Sequence, residues 1–419
     1  PRPLARIDGP FGTEARTESG SPPFQMKRLS ILIAHPWMAR GGSEATAMWT
    51  LEALQFEYEI TFVTAAQVDW SALNRAYGTS VDPDRIRVLK APALPGVNSP
   101  LRLSHLQVRY FERYCHRIAP DFDLSLSAYN PIYFGRPAIH LIGDFSFSEE
   151  MRKRLYIYGK ECFQHRDSLL RRVYLFAGRR MERRRPPLSE WGDLVLANSA
   201  WAAEQLETYF NVNEAPILYP PVILPKAPAD SIRDPLGFAC LGRVVPEKEI
   251  ERIVRILGRV REQGYPVTLQ LIGNLDDSDY ARSIARLVEN NRDWVHPTGF
   301  LDLAEKQALL SRQSYALHAC RIEAFGIAVA EMASMGCIPF VPASGGAGEI
   351  IPFPELQFDE DEEAVAKIID LLSSEKRIQA LREEMPGLVN HFGPVKFMDQ
   401  LREHVLGFCR SRETACLSS

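Results

Sequence analysis

Two carboxylates, Glu323 and Glu331, bracket a run that is otherwise apolar or glycine: Ala324-Phe325-Gly326-Ile327-Ala328-Val329-Ala330. A helix beginning near Ala324 would carry Glu331 about two turns in and leave Glu323 in the loop over its N-terminus. The first amides of a helix have no acceptor within it, so Phe325, Gly326 and Ile327 would offer an anion site there. A glycine at 326 lets a ligand approach the backbone closely. Further upstream, Gly242-Arg243-Val244-Val245-Pro246-Glu247-Lys248 supplies a planar guanidinium and a compact ammonium, the two cation types suited to phosphate oxygens. Taken singly, each feature also fits a structural role: a helix with paired carboxylates, or a solvated Arg/Lys surface.

The surrounding elements decide how these groups could meet. Strand-like Tyr315-Ala316-Leu317-His318-Ala319 precedes the carboxylates, and a second apolar run, Cys337-Ile338-Pro339-Phe340-Val341, follows them. Next comes Ala343-Ser344-Gly345-Gly346-Ala347-Gly348-Glu349-Ile350. Strand, loop, helix, strand and Gly-rich turn in that order make a βαβ unit, with ligand loops at the strand C-termini.

The 419 residues are too many for one ordinary core, and two domains are expected. The first opens with the buried-strand run Leu29–Ala34, a loop holding Gly41-Gly42, a helix over 44–56 and a strand over 58–64. Further strands are predicted at 86–89, 124–127, 138–142 and 194–197, with helices at 101–118, 149–184 and 199–210 between them. Alternation of this kind specifies a doubly wound α/β sheet. Residues 1–27, rich in Pro, Gly, Ser and Arg, read as a disordered leader. The first domain then spans 28–222, a Pro-containing linker 223–236, and a second Rossmann-like domain 237–392. Its expected helices are 247–263, 279–290, 302–312, 361–373 and 375–385, with strands at 237–242, 267–273 and 294–298. A last helix, 393–412, and a short tail, 413–419, close the chain.

The Glu-x-Phe-Gly-x4-Glu pattern of 323–331, the following Gly-Gly-x-x-Glu and the Gly-Arg-x4-Lys of 242–248 together resemble the donor-sugar motifs of retaining GT-B glycosyltransferases, the large family 4. The resemblance covers roughly 29–410 and is strongest over 237–350. It implies two Rossmann-like domains facing a cleft, with the C-terminal helix crossing back onto the first. The donor would be a nucleoside-diphosphate sugar and the acceptor a glycan or lipid-linked hydroxyl. By resemblance, Arg243 and Lys248 would stabilise the departing diphosphate, Glu323 would hold donor-sugar hydroxyls and Glu331 the ribose. The amides of Phe325, Gly326 and Ile327 would face sugar and phosphate, and the Gly41-Gly42 backbone would approach the diphosphate. Charge that builds on a leaving phosphate is where fixed cations act most strongly. Transfer would retain the anomeric configuration, with no metal required and no cofactor beyond the sugar nucleotide. On the acceptor side, relatives place a His or Asp at a strand end; Asp144, after Gly143, fits that position better than His140, which falls inside the strand. A mannosyl donor is suggested by similarity of Ile327–Glu331 and Tyr219-Pro220-Pro221 to lipid-linked mannosyltransferases.

Asp277-Ser278-Asp279 could be read as a metal-binding Asp-x-Asp, but its place at a helix start suits capping. The net charge of −4 gives no reason to expect nucleic acid. Seven scattered cysteines without a Cys-x-x-Cys pair fit a reducing cytoplasm, and no apolar run is long enough to span a membrane. Residues 151–185, however, hold twelve Arg/Lys against Glu161, Asp167 and Glu182. Interleaved with Leu, Tyr and Phe, they suit either a solvated helix with a core face or peripheral contact with anionic lipid. Rival readings are a nucleotide-sugar epimerase or hydrolase and an inactive sugar-nucleotide-binding subunit. An NAD-dependent oxidoreductase fails on the missing Gly-x-Gly-x-x-Gly.

Overall fold

A computed structural model describes residues 28–38, 41–94, 103–155, 168–181, 185–224 and 231–417; the leader 1–27 lies outside them. The first domain contributes β1 (Ser30–Ala34), β2 (Glu59–Thr64), β3 (Ile86–Lys90), β4 (Leu124–Ser127), β5 (Ile139–Ile142) and β6 (Leu194–Ala197). Between and after them run α1 (Gly42–Leu54), α2 (Trp70–Tyr77), α3 (Ser104–Ile118), α4 (Glu149–Leu155), α5 (Leu169–Met181) and α6 (Ala200–Phe210). The second domain holds β7 (Asp234–Leu241), β8 (Thr268–Ile272), β9 (Val295–Gly299), β10 (Gln313–Leu317), β11 (Ile338–Pro342) and β12 (Gln357–Phe358). Its helices are α7 (Ile250–Glu262), α8 (Asp279–Asn290), α9 (Leu303–Leu310), α10 (Ile327–Ser334), α11 (Gly346–Ile350), α12 (Asp361–Leu372) and α13 (Glu375–Val389), and α14 (Pro394–Leu417) ends the chain.

All strand pairings are parallel, and the orders are β3-β2-β1-β4-β5-β6 and β12-β11-β10-β7-β8-β9. Counted within each domain, both sheets follow 3-2-1-4-5-6. Each therefore has one switch point, β1/β4 in the first and β7/β10 in the second, where adjacent crossovers leave to opposite faces and open a crevice at the strand C-termini. Fully buried runs such as Ile31-Leu32-Ile33-Ala34 and Gln313-Ser314-Tyr315-Ala316-Leu317 are what covering both faces requires. The last helix joins the first domain: Phe397, Leu401 and Val405 are buried with Ile31, Leu51 and Leu54.

Several boundaries differ from the sequence expectation for identifiable reasons. The helix after Glu323 begins at Ile327, because Gly326 at φ +111° is left-handed and cannot continue a helix. Glu331 is thus one turn in, not two. The linker gives up Asp234–Leu236 to β7, with Pro235 near the strand start, where a missing N–H costs least. The Gly-rich turn contains α11. The helix expected to stop at 385 runs through Pro386 to Val389, where Leu381, Met385 and Val389 form a buried stripe. The final helix extends past 412 to Leu417, so the expected tail is mostly helix. The single basic helix of 149–184 is α4 and α5, with 156–167 and 182–184 outside the described residues. Helix α2 was not foreseen; Asp69 caps it and Gly78 in the left-handed region ends it.

Candidate active site

In the second domain the loop after β7 and the loop after β10 converge at the switch point. The Lys248 ammonium contacts Oε2 of Glu323, and His318 Nε2 stands 3.1 Å from the same oxygen. Burial alone would push the Glu323 carboxyl up; Lys248 and His318 outweigh it and hold the group well below the usual carboxylate range. Burial likewise opposes the charge on Lys248, and Glu323 reverses that, so the ammonium titrates above its ordinary value. Both partners stay ionised through the neutral range.

The supporting groups fix these loops. Lys248 ends a 3-10 turn, Pro246–Lys248, and Glu249 follows at φ +47°. Glu249 Oε2 lies 3.5 Å from Arg321 Nη2. Arg252, only 1% exposed, binds Asp361 at 2.7 Å and the Asp359 carbonyl at 2.6 Å, tying α7 beneath the site. A Cβ on Gly273 would lie 2.1 Å from the Gly242 carbonyl, so only glycine at the end of β8 lets the Arg243 loop sit where it does. Gly345 and Gly346 do the same under Glu323: added Cβ atoms would meet the Glu323 and Ala324 carbonyls at 2.8 and 2.3 Å. The Gly346 amide donates to the Glu323 carbonyl at 2.8 Å. Arg243 is exposed at the rim.

Two of the expected groups have side chains already engaged within the protein. The Phe325 ring is core, 2% exposed and packed on Tyr219 and Phe392, so only its backbone can serve a ligand. Glu331 is held by Lys306 Nζ at 2.8 Å, a partner on α9 that sequence spacing did not reveal. Asp279 of the Asp-x-Asp is fully exposed beside Arg282, and Ser278 supplies the helix cap. Among the described residues, the ligand atoms of His318, Cys320 and Glu323 lie within 4.8 Å of one another. Lys248 already supplies a cation to the carboxylate of that group.

The first domain presents the ends of β1, β4 and β5. His35 is fully buried, its ring 5.2 Å from Tyr129, and Trp37 packs on Tyr129 at 5.8 Å. Asp144 Oδ1 accepts from Asn130 Nδ2 at 2.8 Å, Ser146 N at 2.9 Å and Ser146 Oγ at 2.6 Å. Asn130, at φ +49°, returns its own Oδ1 to the Gly143 and Asp144 amides at 2.9 and 3.2 Å. Asp144 is thereby fixed at the strand end. His140, in contrast, is fully buried with Nε2 2.5 Å from Asp193 Oδ2, between the Phe134 and Trp191 rings. It is a core histidine, bonded through Nε2 alone.

The two halves face each other. A Cβ on Gly42 would lie 3.1 Å from Ile327 Cδ1, so α1 and α10 oppose their N-termini, and Gly41 is the extended residue just before α1. Burial raises the Tyr129 phenol, Asp144 and Glu44 add to the shift, and Arg243 of the other domain counteracts it. Behind the cleft the domains are latched: Ala200 N donates to Glu349 Oε2 at 2.9 Å, Tyr219 OH to Glu349 Oε1, and Ser199 Oγ to the Ala324 carbonyl. Arg243, Lys248, Glu323 and Ile327 therefore sit across one cleft from Gly42 and Asp144. His318, Lys306, Asn130 and Gly273 carry no local signature; only the fold brings them to the site.

Two such domains meeting at their strand C-termini define the GT-B class of fold. Residues 229–386, most of the second domain, match the family model described as glycosyl transferases group 1. Solved structures share the whole architecture. WaaG, titled a glycosyltransferase involved in lipopolysaccharide biosynthesis, is 14% identical with TM-score 0.64, covering 88% of this chain and 99% of its own. Anabaena Alr3699/HepE in complex with UDP-glucose is 17% identical with TM-score 0.63 over 91% and 100%. Sucrose-phosphate synthase from Thermosynechococcus elongatus is 16% identical with TM-score 0.67 over 92% and 100%. No curated protein sequence matches significantly.

Proposed function

We propose that this chain is a retaining glycosyltransferase that moves a hexosyl group from a nucleoside-diphosphate sugar to a hydroxyl of a glycan or lipid-linked acceptor. The observation that carries the reading is the Lys248–Glu323 contact at the second switch point, opposite Asp144. In this scheme Glu323 accepts hydrogen bonds from donor-sugar hydroxyls and Glu331 from the ribose. Lys248 and Arg243 neutralise the leaving diphosphate, so no metal is needed for that charge. The acceptor oxygen attacks from the face the diphosphate leaves, its proton passing to the departing phosphate. Asp144 orients the acceptor hydroxyl.

The UDP-glucose complex of HepE and the group 1 domain support a sugar-nucleotide donor. A mannosyl donor is the narrower proposal. Thermal-shift titration with UDP-, GDP-, ADP- and TDP-sugars, followed by transfer assays with the stabilising donor, tests both levels. Stabilisation by no sugar nucleotide would defeat the reading. Donor turnover that needs no acceptor would move it to the hydrolase or epimerase alternative.

A further inference from the structure

We propose that the outer face of α5 docks on an anionic lipid bilayer. Leu169, Leu170, Val173 and Phe176 are 80%, 70%, 57% and 53% exposed, four large apolar side chains within about two turns of one helix. Positions 169, 173 and 176 lie on one face at helical spacing. Soluble surfaces carry such residues singly; a contiguous cluster marks a contact surface.

The helix is firmly held from its other side. Arg171 donates to both Glu149 oxygens, at 2.5 and 2.9 Å, and the His105 amide donates to Tyr174 OH at 2.9 Å. A Cβ on Gly178 would lie 2.3 Å from the His105 ring, so α5 and α3 touch there with no room to spare. The apolar face is therefore displayed by a fixed scaffold.

Charge selects the partner. Helix α5 contains no Asp or Glu, and exposed Arg172, Arg179 and Arg180 border the apolar cluster, with Lys153 and Arg154 exposed on α4. An apolar stripe edged by arginines is what lies flat in a lipid headgroup region, each basic group contributing about 1 kcal/mol on an anionic leaflet. Glu149, the anchor of Arg171, heads the helix that follows the Asp144 loop. Docking there would turn the acceptor half of the cleft toward the lipid, which gives the proposed lipid-linked acceptor a route to Asp144. That last consequence rests on the transferase reading; the docking itself does not.

Flotation of the full chain with phosphatidylcholine vesicles, with and without phosphatidylglycerol, tests it at moderate salt. Binding is expected only to the anionic vesicles. Val173→Asp/Phe176→Asp and Arg179→Glu/Arg180→Glu should each lower bound protein at least about tenfold. Both should keep the wild-type thermal shift with sugar nucleotide. Absence of flotation, or flotation unchanged in both double variants, overturns the proposal. Self-association in light scattering that Phe176→Asp abolishes, without vesicle binding, would overturn it in favour of a second copy of the chain. Flotation in a chain that transfers no sugar would leave docking intact and remove only the transferase reading.

Discussion

Lys248 and Glu323 reach each other across 75 residues of sequence to form one ion pair, with 21% and 19% of the side chains exposed. Lys248→Ala removes a cation aimed at the leaving diphosphate. Turnover is expected to fall about 10²–10³-fold, the usual effect of deleting one preorganised charge partner. Stability should drop by about 2 kcal/mol, because Glu323 keeps His318 but loses its main counter-charge in a largely buried setting. Steady-state kinetics and denaturant titration check the two effects separately. Wild-type turnover in this variant would contradict the proposed role.

Between pH 7 and 5, acid should weaken the fold through histidines more than through that carboxylate. Burial is the main force lowering the His35 and His318 pKa values below the ordinary 6.5. His105 is pushed down to about 4 by burial and then by Arg109. Below pH 6.5 the unfolded chain binds protons that these rings refuse, so stability present above 6.5 is lost as pH falls through this window. Glu323, held far below its ordinary range, adds to the loss only as pH approaches the ordinary carboxylate value of 4.5, where the unfolded chain alone takes up the proton. Melting temperature is expected to decline between pH 7 and 5, and less steeply in His105→Gln. A flat profile would contradict the assignment.

What could be read in the sequence was whatever nearest neighbours dictate. Apolar runs gave eleven of the twelve strands their approximate places, leaving out the two-residue β12, and the Arg243/Lys248 and Glu323/Glu331 spacings gave the donor half of the candidate site. Elements set by special backbone geometry were shifted: α10 starts late because of Gly326, and α11 hides in a glycine run. Partners supplied through tertiary structure were invisible. Lys306 of α9 meets Glu331 of α10 only once the chain is folded, and Asn130 meets Asp144 because β4 and β5 are adjacent.

Gly346 tests the support beneath Glu323. Its Cβ-free edge lets the Ala324 carbonyl approach, and a methyl there would stand 2.3 Å from that oxygen. Gly346→Ala must move the 323–325 backbone. A loss of about 1–3 kcal/mol is expected, the range for overpacking, together with weaker sugar-nucleotide binding. Gly387→Ala, where nothing lies within 4 Å of the added carbon, is the control and should be neutral or slightly stabilising. Equal stability of the two variants in thermal melts would show that the Gly-rich turn does not brace the site.

Asp144→Asn separates the acceptor step from donor binding. The substitution preserves size and one carbonyl oxygen, yet the amide cannot accept at both positions as a carboxylate does. Asn130 Nδ2, Ser146 N and Ser146 Oγ all donate to Oδ1, so the side chain should keep its place by presenting its carbonyl to them. The nitrogen would then occupy the other position, where an acceptor hydroxyl needs an oxygen. Donor-induced thermal shift is expected to stay at the wild-type value while transfer falls about 10²-fold, in line with loss of a group that orients the reacting hydroxyl. If both donor binding and transfer survive, Asp144 is only a strand-end anchor. The acceptor would then have to be oriented by another group on that wall, with Trp37 and Tyr129 nearest to hand across the β1/β4 switch point.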